Sequence, residues 1–309
     1  MLKEVIRRKL PPWVYSHGKR WLRRLSNQRP LPPLSEEMLR NIITTELGVK
    51  SDQMVFVHSS IDQLSPDFSF MKLLPLLRSI LGEDSTLLFP STQLTERPER
   101  WFAKKEVFDV NHSPTSMGLL PEMARRLPGA LRSLHPTHSV TAIGPNADEI
   151  IATHHEDVYP CGSMSPYGKL AQKGGVILGL GVNTEIMTQL HSAEDALKNE
   201  FPVDIYRSEL YVGRVSDEFG KERAISTYIP HPRIRWRRPR QFLEKHVDHS
   251  VCKVISVKGR SFYCVDATKL HNRICNLAKQ GITMYFRGVH RRCILENTFS
   301  KWAEELEKR

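Results

Sequence analysis

Short apolar runs that alternate with predicted helices constrain the fold of this chain most. The clearest runs are Met54–His58, Thr86–Phe89 and Val176–Val182, and a further strand is predicted over 138–144. Helices are predicted over 35–48, 70–81, 117–127, 146–154 and 187–198. Apolar runs of four to seven residues between helices indicate an α/β fold, in which helices pack on the faces of a sheet.

The pattern changes after Pro202, but it remains that of a globular domain. Strands are predicted over 205–215, 223–229, 251–257 and 261–265, and helices over 267–280 and 291–307. Hydrophobic residues make up 40% of the chain and charged residues 26%, which excludes a protein that is disordered throughout. Because no run of about 18 apolar residues occurs, a polytopic membrane protein is excluded as well.

The positive charge of the chain is concentrated at its N-terminus. Residues 1–34 hold nine basic residues and one acidic residue, a net charge of +8, whereas residues 35–309 hold 36 basic and 33 acidic residues. We therefore interpret 1–34 as a basic arm and 35–309 as the folded domain.

Two interpretations of this arm stay open. Trp13 and Trp21 lie among its lysines and arginines, which is typical of a segment that attaches to an anionic membrane surface. The arm can equally pack on its own domain with its charges solvated. No nucleic-acid partner is expected, because no recognition module accompanies the charge. Without a secretory signal the sequence predicts a cytoplasmic protein, peripheral on the inner face of the membrane if the arm binds lipid.

The cysteine and histidine patterns argue against a disulfide framework and against a metal site. The five cysteines are Cys161, Cys252, Cys264, Cys275 and Cys293. Their number is odd and no CxxC pair occurs, so neither a disulfide scaffold nor a zinc ribbon is expected. Histidine pairs such as His154-His155 have no supporting ligand pattern, and no metal is predicted.

His191 and Glu194 form the most suggestive pair of side chains. They follow the predicted strand 176–182, near the start of a helix, which is where open α/β sheets bind their ligands. Being three residues apart, they share one helix face. A carboxylate beside an imidazole orients the ring and raises its basicity, so the pair suits a general base. A surface ion pair without function is the alternative interpretation.

Segments along the chain occur in an order typical of a known family. They are Val57–Ser60, Thr86–Thr92, Phe108–Asp109, Ser113–Gly118, Arg126–Ala130, Arg132–Ser139, Ala142–Gly144, Gly162, Ser165–Pro166, Gly174–Leu178, Gly181–Val182 and the spaced triplet Thr188, His191 and Glu194. This order resembles that of the aminoglycoside 3-N-acetyltransferase family, over roughly residues 35–200.

The resemblance implies a fold, a reaction and a co-substrate. The fold would be a central mixed β-sheet flanked by helices, a three-layer sandwich. The reaction would be direct transfer of an acetyl group from acetyl-CoA to an amine, with no metal. Residues 35–200 would then hold the CoA-binding and catalytic part, and the more divergent residues 201–309 the acceptor side.

The resemblance also implies roles for individual residues. His191 would be the general base, steadied by Glu194, while His138 would either assist the base or only hold a strand in place. CoA would be bound by Ser59, Ser60, Thr92, Ser116, Arg132, Ser133 and Thr188. Of these, Ser59, Ser60 or Thr188 would also supply donors to the oxygen that becomes negative during transfer.

The acceptor implied by the family name fits this sequence poorly. Aminoglycosides are polycations, and the chain has a positive net charge with no acidic cluster to bind them. An amino sugar linked to a nucleotide or a lipid diphosphate suits the basic run Arg233–Arg240 and the arm better, with a place in surface-polysaccharide assembly. Two alternatives are aminoglycoside acetylation and a non-catalytic scaffold at the membrane.

Overall fold

The computed structural model describes residues 31–286 and His290, and a seven-stranded mixed sheet organises them. Its strands are β1 (Met54–Ser59), β2 (Thr86–Pro90), β4 (Leu131–Arg132), β5 (Val140–Ile143), β6 (Val176–Leu180), β9 (Cys252–Val257) and β10 (Arg260–Asp266). They lie in the order β4-β5-β2-β1-β6-β10-β9. The three central strands, β2, β1 and β6, are parallel, and each flank is an antiparallel pair.

The central strands are apolar throughout because both faces of the sheet are covered. Along β1, Phe56 packs into one core, while Val55 and Val57 pack into the other. The same alternation in the neighbouring strands produces two hydrophobic cores with the sheet between them. The predicted three-layer sandwich is thereby confirmed.

The helices lie on both faces of the sheet. They are α1 (Glu36–Asn41), α2 (Ile61–Leu64), α3 (Leu73–Leu81), α4 (Pro98–Lys104), α5 (Leu119–Ala124), α6 (Ala147–Ile151), α7 (Pro166–Gln172), α8 (His191–Leu197), α9 (Pro239–His246) and α10 (Ala267–Lys279). Buried residues of α1, α3 and α5 share one core, whereas those of α7, α8 and α10 share the other. Ser35 caps α1 as predicted, since its hydroxyl accepts a hydrogen bond from the Met38 amide at 3.2 Å.

Besides the single-turn α2, three longer helices are absent from the sequence-based assignment, namely α4, α7 and α9. Each has a proline in its first turn, at Pro98, Pro166 and Pro239 respectively. The first turn of a helix tolerates proline, because the backbone nitrogen at that position has no hydrogen-bond partner within the helix. These prolines are therefore local signals that a helix begins.

A smaller three-stranded sheet lies beside the main one. It consists of β3 (Val107–Asp109), β7 (Tyr211–Ser216) and β8 (Glu222–Thr227) in the order β3-β7-β8. The strand predicted over 205–215 therefore begins later than expected. Short 3₁₀ helices at Thr184–Ile186, Thr188–Leu190, Lys198–Glu200 and Pro232–Arg235 connect the elements around the site.

Two glycines of the Gly179-Leu-Gly181 run have steric roles. Gly179 faces Tyr263 across the β6–β10 pair, and a Cβ at residue 179 would lie 2.2 Å from the tyrosine ring. Gly181 has φ of +67°, and a Cβ there would lie 2.7 Å from the Leu64 amide nitrogen. These glycines let an aromatic ring cover the strand and let the chain turn sharply at its end.

Two of the predicted segments fall wholly or mostly on residues whose structure is not described. The basic arm 1–34 is described only from residue 31, and the helix predicted over 291–307 lies outside the described residues, as does Cys293. From Leu34 onward the described residues belong to one compact unit. Among them, no helix has both the length and the apolar character that crossing a membrane requires.

Candidate active site

His191 lies at the edge of the main sheet where the parallel strands end. Strand β6 ends at Leu180, the chain turns at Gly181, and two 3₁₀ helices lead into α8, which begins at His191. The neighbouring strand β1 ends beside β6 at Ser59, which pairs with Leu180. The predicted position of His191, at the carboxyl edge of the sheet, is therefore what the fold produces.

Glu194 holds the His191 ring on one side. The Nδ1 of His191 lies 2.6 Å from Oε2 of Glu194, and the carboxylate side chain is only 1% exposed. Its other oxygen, Oε1, accepts a hydrogen bond from the Tyr285 hydroxyl at 2.8 Å. Burial and the Glu194 charge raise the pKa of Tyr285 well above its ordinary value, so the phenol stays a donor. The carboxylate is thus satisfied on both oxygens and fixed in place.

Arg237 contacts the other nitrogen of the same ring. Its Nη1 lies 2.9 Å from Nε2 of His191. Because a guanidinium only donates, Nε2 accepts this bond, and the imidazole proton resides on Nδ1, facing Glu194. His191 is therefore neutral in this arrangement, with the tautomer that a general base at Nε2 requires.

His138 reaches this edge from a different part of the chain. The loop 133–139 joins β4 to β5, and β5 starts opposite Pro90, at the carboxyl end of β2. His138 Nδ1 lies 2.9 Å from the Thr137 hydroxyl. Burial, together with the nearby His191 and His154, lowers the pKa of His138 to about 3. So low a pKa makes His138 a weak base.

Two further histidines are buried behind His138. The rings of His135 and His154 are stacked, with centroids 4.4 Å apart. Nδ1 of His135 accepts the His138 amide at 3.0 Å, which orders the loop. Nε2 of His154 donates to the Pro160 carbonyl at 2.9 Å, and its Nδ1 lies 2.8 Å from the Ser133 hydroxyl. Burial lowers the pKa of both imidazoles, to about 3 for His154.

Two of the residues predicted to bind CoA are buried and serve the fold. Ser133 also accepts the Val140 amide at 2.8 Å, so its hydroxyl joins β5 to His154. Arg132 donates to the carbonyls of Ser113, at 2.6 Å, and of Ser91. Its guanidinium carbon lies 4.6 Å from the centre of the Phe108 ring. These contacts hold both side chains within the fold, and their role in CoA binding stays a prediction.

The other predicted CoA ligands lie at or near the surface. Ser59 and Ser60 are half-buried at the end of β1, where the Ser60 hydroxyl caps α2 by accepting the Gln63 amide at 3.4 Å. Thr188 is half-buried in the 3₁₀ helix that precedes His191. Thr92 and Ser116 are joined, because the Ser116 amide donates to the Thr92 carbonyl at 2.8 Å.

A second buried carboxylate follows Glu194 directly. Asp195 accepts the Cys161 amide at 2.7 Å and the Tyr206 hydroxyl at 2.7 Å. Burial is the main cause that raises the pKa of Asp195 well above its ordinary value. Two consecutive carboxylates on α8 therefore have different partners: Glu194 faces the site, and Asp195 ties α8 to the loops beside it.

Two pockets approach the His191–Glu194 pair. One, of about 450 Å³, includes Glu194, Tyr159, Tyr206 and Tyr228 in its wall. The other, of about 250 Å³, includes Arg237 in its wall. His231 lines both of them. Within the described residues no group of three or more His, Cys, Asp or Glu side chains is arranged to bind a metal ion.

Sequence analysis missed two residues of this site, Tyr285 and Arg237. Arg237 was visible only as one member of the basic run 233–240, and nothing in the sequence pointed to Tyr285. A backbone bridge between these two residues positions both side chains around the His191–Glu194 pair.

Known proteins match this chain in sequence and in fold. Aminoglycoside N(3)-acetyltransferase VII of Streptomyces paromomycinus is 37% identical over 131 residues, which are 38% of this chain and 45% of that protein. The chain thus spans about half the length of the curated relatives it matches. Structures of sisomicin-bound AAC-VIa (TM-score 0.67, 23% identity) and of AAC-IIIb with CoASH (TM-score 0.66, 21% identity) share the fold. Each covers 82% of this chain and 100% of its own.

The sequence model of one family extends over most of the described domain. It is that of the aminoglycoside 3-N-acetyltransferases, and it matches residues 56–275, from β1 into α10. The match includes the end of β1, the His138 loop and the His191–Glu194 pair. The resemblance found in the sequence is confirmed, and the chain belongs to the aminoglycoside 3-N-acetyltransferase family.

Proposed function

We propose that this protein transfers the acetyl group of acetyl-CoA to an amino group of an amino sugar, with His191 as the general base. The observation that carries the proposal is the geometry of His191 in a chain of this family. Its Nδ1–H is fixed by the buried Glu194 at 2.6 Å, which leaves Nε2 as the proton acceptor. An amine acceptor needs such a base, because a sugar ammonium cannot attack until it loses a proton.

The proposed proton path uses only His191 and its partner. Nε2 takes a proton from the acceptor ammonium and frees the nitrogen lone pair. As the new C–N bond forms and the C–S bond breaks, the imidazolium returns this proton to the departing sulfur. The regenerated Nε2 then takes the second proton from the nitrogen, which leaves a neutral amide, and releases that proton to solvent. Glu194 stabilises the imidazolium between these two steps, and Tyr285 keeps the carboxylate oriented.

The edge formed by β1 and β6 offers suitable groups for acetyl-CoA, which when bound supplies the thioester. Ser59, Ser60 and Thr188 are half-buried hydroxyl residues; the two serines lie at the end of β1, and Thr188 lies in the 3₁₀ helix that precedes His191. They would hold the thioester end and donate to the oxygen on which negative charge develops. Ser116, exposed and joined to Thr92, would contact the more distant part of the molecule. AAC-IIIb, which shares this fold, was solved with CoASH.

Two acceptor classes are compatible with this chemistry. The names of the relatives favour an aminoglycoside, and AAC-VIa was solved with sisomicin. The basic run 233–240 beside the catalytic pair favours an amino sugar that carries phosphate, such as one linked to a nucleotide or a lipid diphosphate. The contacts of Arg237 favour the second class.

Acetyl transfer and CoA binding, measured separately, test the proposal. Thiol release from acetyl-CoA is followed with sisomicin and with glucosamine 1-phosphate, and CoA affinity is measured by calorimetry. His191→Ala should lower the transfer rate by about 10²–10⁴, the usual contribution of a general base, with CoA affinity near that of the wild type. The exposed His112, changed to alanine, is the matched control and should leave both quantities unchanged.

Three outcomes would contradict the proposal. A wild-type protein that binds no CoA would indicate the scaffold alternative. A protein that binds CoA but acetylates neither amine would contradict transfer to an amino sugar. A His191→Ala variant with nearly full activity would place the base elsewhere, and His138→Ala would then be the next variant to test.

A further inference from the structure

Arg237 occupies the position that the acceptor amine must take. Its Nη1 is 2.9 Å from His191 Nε2, the atom that accepts the proton in the proposed reaction. The lone pair of Nε2 is therefore already used as a hydrogen-bond acceptor. A sugar ammonium can reach this atom only if the guanidinium moves away, because two cations cannot share one acceptor lone pair.

The surroundings of Arg237 would draw it toward an anion. Arg237 lines the 250 Å³ pocket together with Arg97, Arg235 and His231. The carboxylate of the pocket, Glu99, is already bound by Arg207 at 2.8 Å. The wall of the pocket thus holds three guanidinium groups and one carboxylate, an excess of positive charge that attracts anions and repels polycations.

The adjoining 450 Å³ pocket also has more cationic side chains than carboxylates in its wall. It includes Lys198, Arg207 and Arg233, with Asp204 and Glu194 as its carboxylates. Glu194 is engaged by His191 and Tyr285 on its two oxygens. Neither pocket therefore offers the set of available carboxylates that a polycationic aminoglycoside would need.

We propose, on the basis of the proposed acetyl transfer, that the acceptor is an amino sugar with a phosphoryl group, and that Arg237 selects it. The phosphoryl oxygens bind Arg237 and draw its guanidinium from His191 Nε2 into the basic pocket. The same movement frees the base and opens room for the amine. Guanidinium groups suit this role because their planar donor pairs match phosphate oxygens. Without the anion, Arg237 covers the base.

Competing acceptors test this inference in the full-length protein. Rates of acetyl transfer are measured with glucosamine, glucosamine 1-phosphate, UDP-glucosamine and sisomicin. In the wild type, kcat/KM for the better of the two phosphorylated sugars should exceed that for glucosamine by at least about tenfold, the factor for one charge-assisted hydrogen bond. A higher kcat/KM for glucosamine 1-phosphate would indicate a phosphate monoester as the acceptor, and a higher kcat/KM for UDP-glucosamine would indicate a diphosphate.

Substitutions at Arg237 then identify the residue that selects. Arg237→Ala should remove the preference for phosphorylated sugars and raise the rate with glucosamine, while Arg237→Lys should keep part of the preference. The matched control is Arg238→Ala, since Arg238 belongs to the same basic run but bonds to Gln241 and lies outside the wall of the pocket. The Arg238→Ala variant should prefer phosphorylated sugars to the same extent as the wild type.

Calorimetry with the reaction product makes the test independent of turnover. N-acetylglucosamine 1-phosphate should bind the wild type at least about tenfold more tightly than it binds Arg237→Ala. If sisomicin or glucosamine is acetylated as well as the phosphorylated sugars, or if Arg237→Ala keeps the preference, this inference is wrong although acetyl transfer stands. If no amine is acetylated, the proposed function is wrong, and this inference with it.

Discussion

Acid should unfold this protein through histidines that the fold keeps neutral. Burial lowers the pKa of His58 to about 4 and that of His138 and His154 to about 3, and it lowers the pKa of His135 well below the ordinary value. In the unfolded chain the same imidazoles titrate near 6.5. Below that pH the unfolded state binds protons that the folded state does not, so stability present above pH 6.5 is lost as the pH falls.

The size of the effect follows from the number of protons. Near pH 5 the unfolded chain binds four more protons at these four histidines than the folded chain does. Asp195 acts in the opposite direction by one proton, because its raised pKa lets the folded chain bind a proton that the unfolded chain does not. Three net protons correspond to about 4 kcal/mol of unfolding free energy per pH unit. With a total stability of about 5–15 kcal/mol, the acid midpoint should lie at about pH 3–5.

Urea unfolding between pH 6 and pH 5, where the unfolded imidazoles are mostly protonated, measures this slope before most carboxylates titrate. Replacing His154 with glutamine removes one of the protons and should lower the slope to about 3 kcal/mol per pH unit. The matched control is His112→Gln, whose side chain is 83% exposed and should leave the slope unchanged. A wild-type slope of about 1 kcal/mol per pH unit or less would show that these imidazoles are not held neutral, and would refute the reasoning.

Three further predictions concern single contacts, and a fourth concerns the N-terminal arm. Glu194→Gln should lower kcat by about 10- to 100-fold with little change in Tm, because an amide keeps the hydrogen bond to His191 but not the charge that stabilises its imidazolium. Arg132→Met should lower the free energy of unfolding in urea by about 3–5 kcal/mol, since it leaves buried carbonyls without a donor; unchanged stability with lost CoA affinity would instead indicate a ligand role. Gly179→Ala should lower Tm by several degrees, because the new methyl group meets the tyrosine ring across the strand pair. Removal of residues 1–34 should abolish salt-sensitive co-sedimentation with anionic liposomes, and equal sedimentation of both proteins would leave the arm as a packing element.

Local patterns in the sequence were sufficient for the fold class and for the His191–Glu194 pair. The apolar runs at 54–58, 86–89 and 176–182 predicted the three parallel strands, because a strand covered on both faces must be apolar at every position. His191 and Glu194 could be paired from their spacing, since three residues make one helical turn. Both inferences need only the neighbours of each residue along the chain.

The remaining parts of the site depend on contacts between distant segments. Tyr285 lies 91 residues from Glu194, and Arg237 lies 46 residues from His191. Arg132, which has the charge of a phosphate ligand, is instead buried against backbone carbonyls that follow other strands. The chemistry of a side chain limits what it can bind, but only the packing of the sheet, loops and helices determines which partner it contacts.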